Sequence, residues 1–309
     1  MSAPPLTEES LALPPARDAG LLIVALAGVS ASGPLMAATV APALAIAFWR
    51  NALGAGLTGA LTVIRNRAEL ASLDRRGWLT AGFAGLLLAL HFGTWVPAVK
   101  YTSVASATAL VATQSVFSGI LAALGGRRLP RAAWLGMATA IAGTALIAGA
   151  DFGVSGRSLL GDLLALLGGF FAAGYVTTGS SARRTMSAAT YTTICYTVCS
   201  LGLLAACLVG GQSLAGYSMR AWVLIALVTL CAQLFGHTLF NVVLRSMSAT
   251  LVSLAILIET PGAALIAYLW LHQSPRISAL PGLILLFAGL VVVVRASSRS
   301  IEAAPPDLD

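Results

Sequence analysis

The sequence predicts an all-α integral membrane protein, with ten transmembrane helices arranged as two inverted five-helix repeats. Three observations carry that prediction. The 309 residues are 58% hydrophobic and 9% charged, with a mean hydropathy of +0.89. A soluble domain carries about 25% charged residues and could not cover its surface with so few. Apolar runs of roughly twenty residues, the length needed to cross the hydrocarbon core, recur along the chain. Residues of the first half also return in the second at near-constant spacing.

Residues 1–18 ("MSAPPLTEESLALPPARD") are polar and proline-bearing, and are expected to be a disordered cytoplasmic segment. The triplet at 31–33 ("ASG") faintly resembles a signal cleavage site. The residues after it belong to the repeat, so no cleavage is expected. Helices are predicted at 19–40, 43–64, 77–99, 102–124, 132–150, 159–180, 188–210, 220–243, 248–271 and 278–295. Polar, glycine- and arginine-bearing stretches such as "RNRAELASLDRRG", "GGRRLPR" and "GGQSLAGYSMR" separate them. The first-to-second and third-to-fourth connections are short enough to force antiparallel neighbours. Residues 296–309 ("ASSRSIEAAPPDLD") read as a solvated cytoplasmic tail.

Lysine and arginine set the orientation. With the N-terminus inside, the inner segments hold Arg17, Arg65, Arg67, Arg75, Arg76, Arg127, Arg128, Arg131, Arg183, Arg184, Arg245, Arg295 and Arg299. The outer loops hold Lys100, Arg157, Arg220 and Arg276. That asymmetry places both termini in the cytoplasm and the chain in the cell (inner) membrane. The net charge of +7 is spread singly or in pairs between spans, which implies topology rather than nucleic acid. Cys195, Cys199, Cys207 and Cys231 all lie in apolar runs and read as small packing residues. Cys195 and Cys199 share a helix face that would suit a soft metal, but the packing reading is the simpler, and no metal or cofactor is expected.

The two repeats are predicted at 19–150 and 159–295. Gly28 and Gly33 recur as Gly169 and Gly174, 141 residues on. Lys100, Ser103, Gln114 and Leu124 recur as Arg245, Ser248, Glu259 and Leu269, 145 residues on. Gly136 and Gly143 then recur as Gly282 and Gly289; the members of each pair are seven apart, on one helix face, and suit close packing. Five helices is an odd number, so the second copy lies upside down. Inverted repeats carry substrate sites near the midplane.

Three stretches resemble the EamA-type carriers of the drug/metabolite transporter superfamily. "ALAIAFWRNALGAGL" is similar to their second helix, with Arg50 as its characteristic arginine. "AVKYTSVASATALVATQSVFSGILAAL" is similar to their helices three and four. "GHTLFNVVLRSMSATLVSLAILIETPGAALIAYLWL" is similar to helices eight and nine, where a glutamate and proline step is usual. The resemblance implies ten helices, a central cavity and movement of small metabolites such as amino acids or drug-like compounds, often outward. The chain departs from the family at Arg127 ("GGRRLP") and Gln273 ("LHQSP"), where such carriers usually have glutamate, so other contacts must close those turns.

Glu259 is the strongest candidate site residue, because an ionisable side chain within the membrane faces the protein interior or a water cavity by default. It is expected to bind a proton or a cationic substrate, or to support the helix that Pro261 interrupts. Gln233, His237 and Asn241 follow at i, i+4 and i+8, either lining a cavity or bonding between helices. Gln114 and Ser118 share a face of helix four and are expected to meet Glu259 across the pseudo-symmetry axis. His91 and Trp95 share a face of helix three, just before Pro97. They suit a flat or cationic ligand, although Trp95 also fits an anchor at the membrane interface. Tyr175 and Thr178 offer polar tips on helix six, with packing the plainer reading. Arg50 is expected to snorkel to the outer interface or to make a structural pair.

The expected function is that of a secondary active transporter with possible proton coupling. Its expected partners are a small-molecule substrate and the bilayer, in a monomer or homodimer. No "GxxxxGK[ST]" phosphate loop is present. The competing class is an integral membrane enzyme using His91, His237 and Glu259 as acid and base, although no catalytic loop is long enough. A channel is a third reading.

Overall fold

The computed structural model describes residues 16–126, 129–152, 155–183, 185–237, 239, 257–274 and 276–302. The first half contains α1 (Ala16–Ser30), α2 (Ser32–Ala38), α3 (Ala43–Arg65), α4 (Arg67–Ser72), α5 (Arg75–Tyr101), α6 (Val104–Val111), α7 (Gln114–Leu124) and α8 (Arg131–Phe152). The second contains α9 (Gly156–Ala182), α10 (Ala188–Val209), α11 (Met219–Val228), a π-helical segment (Thr229–His237), α12 (Glu259–Leu271) and α13 (Leu280–Glu302). Among the described residues, six stretches are long and apolar enough to cross a membrane: Ala16–Ala38, Arg75–Tyr101, Val104–Leu121, Gly156–Gly179, Ala188–Val209 and Met219–Gly236.

Side-chain oxygens mark the helix starts. Asp74 accepts from the Gly77 N–H at 2.8 Å, and Ser103, Ser155, Ser187 and Ser218 cap α6, α9, α10 and α11 in the same way. Each cap satisfies a backbone donor that the first turn leaves orphaned. At the far end of α12, His272 adopts a left-handed φ of 54° and the Gln273 N–H reaches back to the Ala267 carbonyl, a standard helix stop.

The structure corrects several sequence-based boundaries. Ala16–Asp18, expected to be disordered, already form the first turn of α1, and the tail from Ala296 continues α13 to Glu302. No breaker occurs in "ASSRSIE", so nothing ends the helix there. The connection at 65–76 folds into α4. Helix four is split into α6 and α7, and helix eight passes from α-helix to π-helix at Thr229.

Packing follows a two-fold pattern. α3 packs on its repeat partner α10, α8 on α13, and the fourth helix on α12. α1 packs against the π-helical segment, and its counterpart α9 packs against α5. Gly136 lies against Gly289, and Gly143 against Gly282. Repeat-equivalent glycines therefore exchange contacts as α8 and α13 run antiparallel. A two-fold axis gives that arrangement only when it lies across the helices rather than along them. The ends of α3 and α10 repeat the theme. The Trp49 indole N–H donates to the Leu214 carbonyl at 2.8 Å, and the Thr190 hydroxyl donates to Glu69 at 2.8 Å. Trp49 and Thr190 are 141 residues apart and Glu69 and Leu214 are 145 apart, the two spacings of the repeat.

Candidate functional site: a cavity between two helix starts

Helix four restarts, and α12 starts, at the same place in the repeat. α7 begins at Gln114 and α12 at Glu259, the pair already matched by their 145-residue spacing. The causes differ. In helix four the Thr113 hydroxyl donates to the Leu110 carbonyl, and the Thr113 and Val116 N–H groups bond three residues back instead of four. A hydroxyl competing for the ladder tightens the chain locally. In helix nine Pro261 is the third residue of α12, and the first ladder bond is donated by Gly262 to the Ile258 carbonyl. A proline in the first turn lacks only a donor that would be unpaired anyway. Pro261 therefore fits the first turn of α12 without costing it a ladder bond.

Between the two starts lies a cavity of about 80 Å³, lined by Thr108, Val111, Ala112, Gln114, Ser115, Leu257, Glu259 and Thr260. It unites Gln114 and Glu259 as expected, while Ser118 is not among its lining residues. The Thr108 hydroxyl is spent on the Val104 carbonyl. Among the described residues, the side chains of Gln114, Ser115, Glu259 and Thr260 make no hydrogen bond, although Thr260 is 4% exposed. Gln114, Ser115 and Glu259 are half-buried, so these polar groups open onto the cavity and are available to a guest there. The volume suits a few waters or one small polar group. It falls well short of the roughly 300 Å³ of an ordinary ligand pocket.

Behind Glu259 sits Arg50, 1% exposed. Its Nε donates to Gln233 Oε1 at 2.9 Å, one terminal nitrogen donates to Ser32 Oγ at 3.3 Å, and the guanidinium lies 4.3 Å over the Phe92 ring. Arg50 thus takes the structural pair and does not snorkel, because Gln233 offers it an acceptor deep in the fold. Gln233 also donates to Asn51 Oδ1 at 3.3 Å, so it braces Arg50 instead of lining the cavity. The i→i+5 bonding of its π-helical segment breaks the i, i+4 register that would have aligned it with His237. The His237 side chain and Asn241 lie outside the described residues.

The other candidates pack apart from the cavity lining. His91 Nδ1 meets the Gly168 carbonyl at 2.9 Å, and its ring stacks on Trp95 at 5.8 Å. Trp95 is 4% exposed, which overturns the interface-anchor reading: Gly168 lets α9 approach and cover it. Tyr175 stacks on Tyr191 at 6.5 Å. Pro97 lies within the last turns of α5. Gln273 accepts a long 3.5 Å hydrogen bond from the Val104 N–H, at the start of α6; Arg127 lies outside the described residues. Two features went unread in the sequence. Asp162 is fully buried in α9, and its signal was the lone carboxylate in "GDLLALLGGFF". A second cavity, of about 490 Å³, lies beside Glu69, Asp74, Arg76 and Ser181, where two chain connections meet.

The sequence profile of the EamA-like transporter family matches residues 18–149 and again residues 159–295. The chain belongs to the EamA-like transporter family. It is a multi-pass membrane transporter of the drug/metabolite superfamily, and the double match coincides with the two-fold packing. A solved structure described only as "Crystal structure of protein" covers 91% of this EamA-like chain and 98% of its own, with a TM-score of 0.64 and 16% identity. At that identity the likeness shows the fold alone. No curated protein matches the chain.

Proposed function

We propose that this chain is a secondary active transporter that moves small metabolites outward by alternating access, holding them at the cavity between Gln114 and Glu259. The observation that carries the reading is the pair of helix starts at repeat-equivalent positions, enclosing polar side chains that have no partner among the described residues. Helices interrupted at the midplane of inverted repeats are where such carriers bind. Ten spans with both termini in the cytoplasm of the inner membrane accord with the antiparallel exchange of α8 and α13. The equivalent contacts of Trp49 with Leu214 and of Glu69 with Thr190 would act as latches at opposite ends. In this reading the present cavity is the occluded form, too small for a whole metabolite.

Glu259 is the coupling group. Substrate counterflow in proteoliposomes, with the substrate recovered chemically unchanged, tests the carrier reading; a metabolite panel that gives no exchange would sink it. Glu259→Gln mimics the protonated side chain. It should fold and exchange substrate for substrate, yet lose proton-driven accumulation. An unchanged transport profile against pH in that variant would mean that Glu259 only supports the helix start.

A further inference from the structure

Polar side chains without partners among the described residues line the cavity between Gln114 and Glu259. α7, of 11 residues, and α12, of 13, both begin at it, while α6 ends at it; the opposed ends of α6 and α7 offset each other, which leaves the start of α12 as the positive helix end, of roughly half a charge. The Thr260 hydroxyl, on a residue 4% exposed and without a hydrogen-bond partner among the described residues, lines the same space. So do the unpartnered Gln114 amide and Ser115 hydroxyl.

Arg50 adds a full charge, and the groups that bind it are neutral: Gln233, Ser32 and Phe92. An intramembrane cation needs a counter-charge, and the carboxylate within its electrostatic reach is Glu259. Among the described residues, the elements packed against α12 offer no other. α2, α6 and α7 have no titratable side chain, and Arg17 and Asp18 lie at the far end of α1 from Ser30, the residue that meets Gly262. Ionised, Glu259 balances Arg50. Protonated, it leaves Arg50, which acts on Glu259 from outside the lining, unbalanced, and the donor-rich space of about 80 Å³ has room for a carboxylate but not for the body of a metabolite.

Building on the carrier reading, we infer that the cavity takes the carboxylate of a small anionic substrate together with a proton on Glu259. The substrate then replaces Glu259 as the counter-charge of Arg50. One proton passes from water to the Glu259 carboxylate for each anion bound, so the loaded and empty sites carry the same net charge. The exchange is electroneutral, and the sum of the proton and anion gradients sets its direction.

The test uses the purified full chain and three probes of matched shape: benzoate, benzamide and benzylammonium. Thermal stabilisation is measured between pH 5.5 and 8. Benzoate alone should stabilise, with its apparent Kd weakening about tenfold per pH unit above the titration of Glu259. Glu259→Gln should keep benzoate binding and lose the pH slope. Arg50→Gln should abolish binding and Arg50→Lys should retain part of it. Should Arg50→Gln not fold, the probe comparison and the slope in Glu259→Gln still decide. Stabilisation by benzamide or benzylammonium without benzoate overturns the inference, as does an unchanged slope in Glu259→Gln. Binding is read here without transport, so the two failures separate. Benzoate binding by a chain that exchanges no metabolite would count against the carrier reading alone. Exchange of cationic or neutral metabolites by a chain blind to benzoate would count against the anion site alone.

Discussion

Replacing Gly143 by alanine sets two effects of known sign against each other. Alanine is the better helix former, by about 0.5–1 kcal/mol in a helix interior. The new Cβ, however, would lie 2.6 Å from the Gly282 carbonyl oxygen and 2.8 Å from Leu286 Cα. Both are backbone atoms and cannot rotate away. Ordinary carbon contacts sit at about 3.5–4.0 Å, so α8 and α13 must part by roughly 1 Å where they cross. Overpacking of this kind costs about 1–3 kcal/mol. The clash therefore wins, by about 1–2 kcal/mol once the propensity gain is deducted. At about 2–4 °C per kcal/mol, detergent-solubilised protein should melt several degrees lower. Gly56→Ala is the matched control, since a Cβ there meets nothing within 4 Å; it should melt at or above the parent temperature. Adding Gly289→Ala to Gly143→Ala should cost less than the sum, because the helices have already separated. Thermal denaturation followed by intrinsic fluorescence reads all five proteins, Gly289→Ala alone included. If Gly143→Ala matches Gly56→Ala, close packing of α8 on α13 is not what holds the repeats together.

Two further predictions concern topology and the connection at α4. Single cysteines at Ser72 and Ser155, both exposed, in a cysteine-free background should be labelled from opposite sides of the membrane; labelling from one side would contradict the inverted arrangement. The Glu69 carboxylate lies outside the spans and is partly buried, which alone would raise its pKa. Hydrogen bonds from Ser187, Thr190 and Asn66 outweigh that and hold it below the usual 4.5. Its contribution is therefore complete above pH about 4.5 and is lost as the pH falls through the lower folded value. Glu69→Gln should lower stability at neutral pH by less than about 1 kcal/mol, since solvent screens the group. The gap from the parent should close on acidification, and a gap that widens in acid would refute the assignment.

The frame was legible because it rests on features that sequence records directly. The length of the apolar runs and the recurrence of Gly136 and Gly143 as Gly282 and Gly289 need no tertiary information. The helix start at Glu259 was legible for the same reason, since Pro261 announces it. Its counterpart at Gln114 was not: no proline or glycine lies there, and Thr113 breaks the ladder through a hydroxyl bond that any mid-helix threonine can make or decline. Arg50 and Trp95 were misjudged because depth in a bundle depends on neighbours. Arg50 stays inside only because a π-helical segment presents Gln233 to it, and Trp95 stays inside because Gly168 leaves space for it. Asp162 was passed over beside the better-placed Glu259.

Gln114 and Glu259 occupy equivalent positions, each first in its half-helix and each on the same cavity. A two-fold related pair would ordinarily carry like residues, because the repeats offer them like surroundings. Here the two side chains are nearly isosteric and differ in one property, since only Glu259 can gain or lose a proton. Gln114 is in effect a permanent copy of protonated Glu259. The cavity thus holds one fixed neutral amide and one titratable group, with Arg50 behind the titratable one. Such a site has two charge states rather than three, and only the Glu259 half distinguishes them. A carrier that merely needed a polar floor would be served by two amides. Keeping a carboxylate at one of the two positions, at the cost of burying its counter-charge on Arg50, makes sense where the proton itself takes part in the cycle.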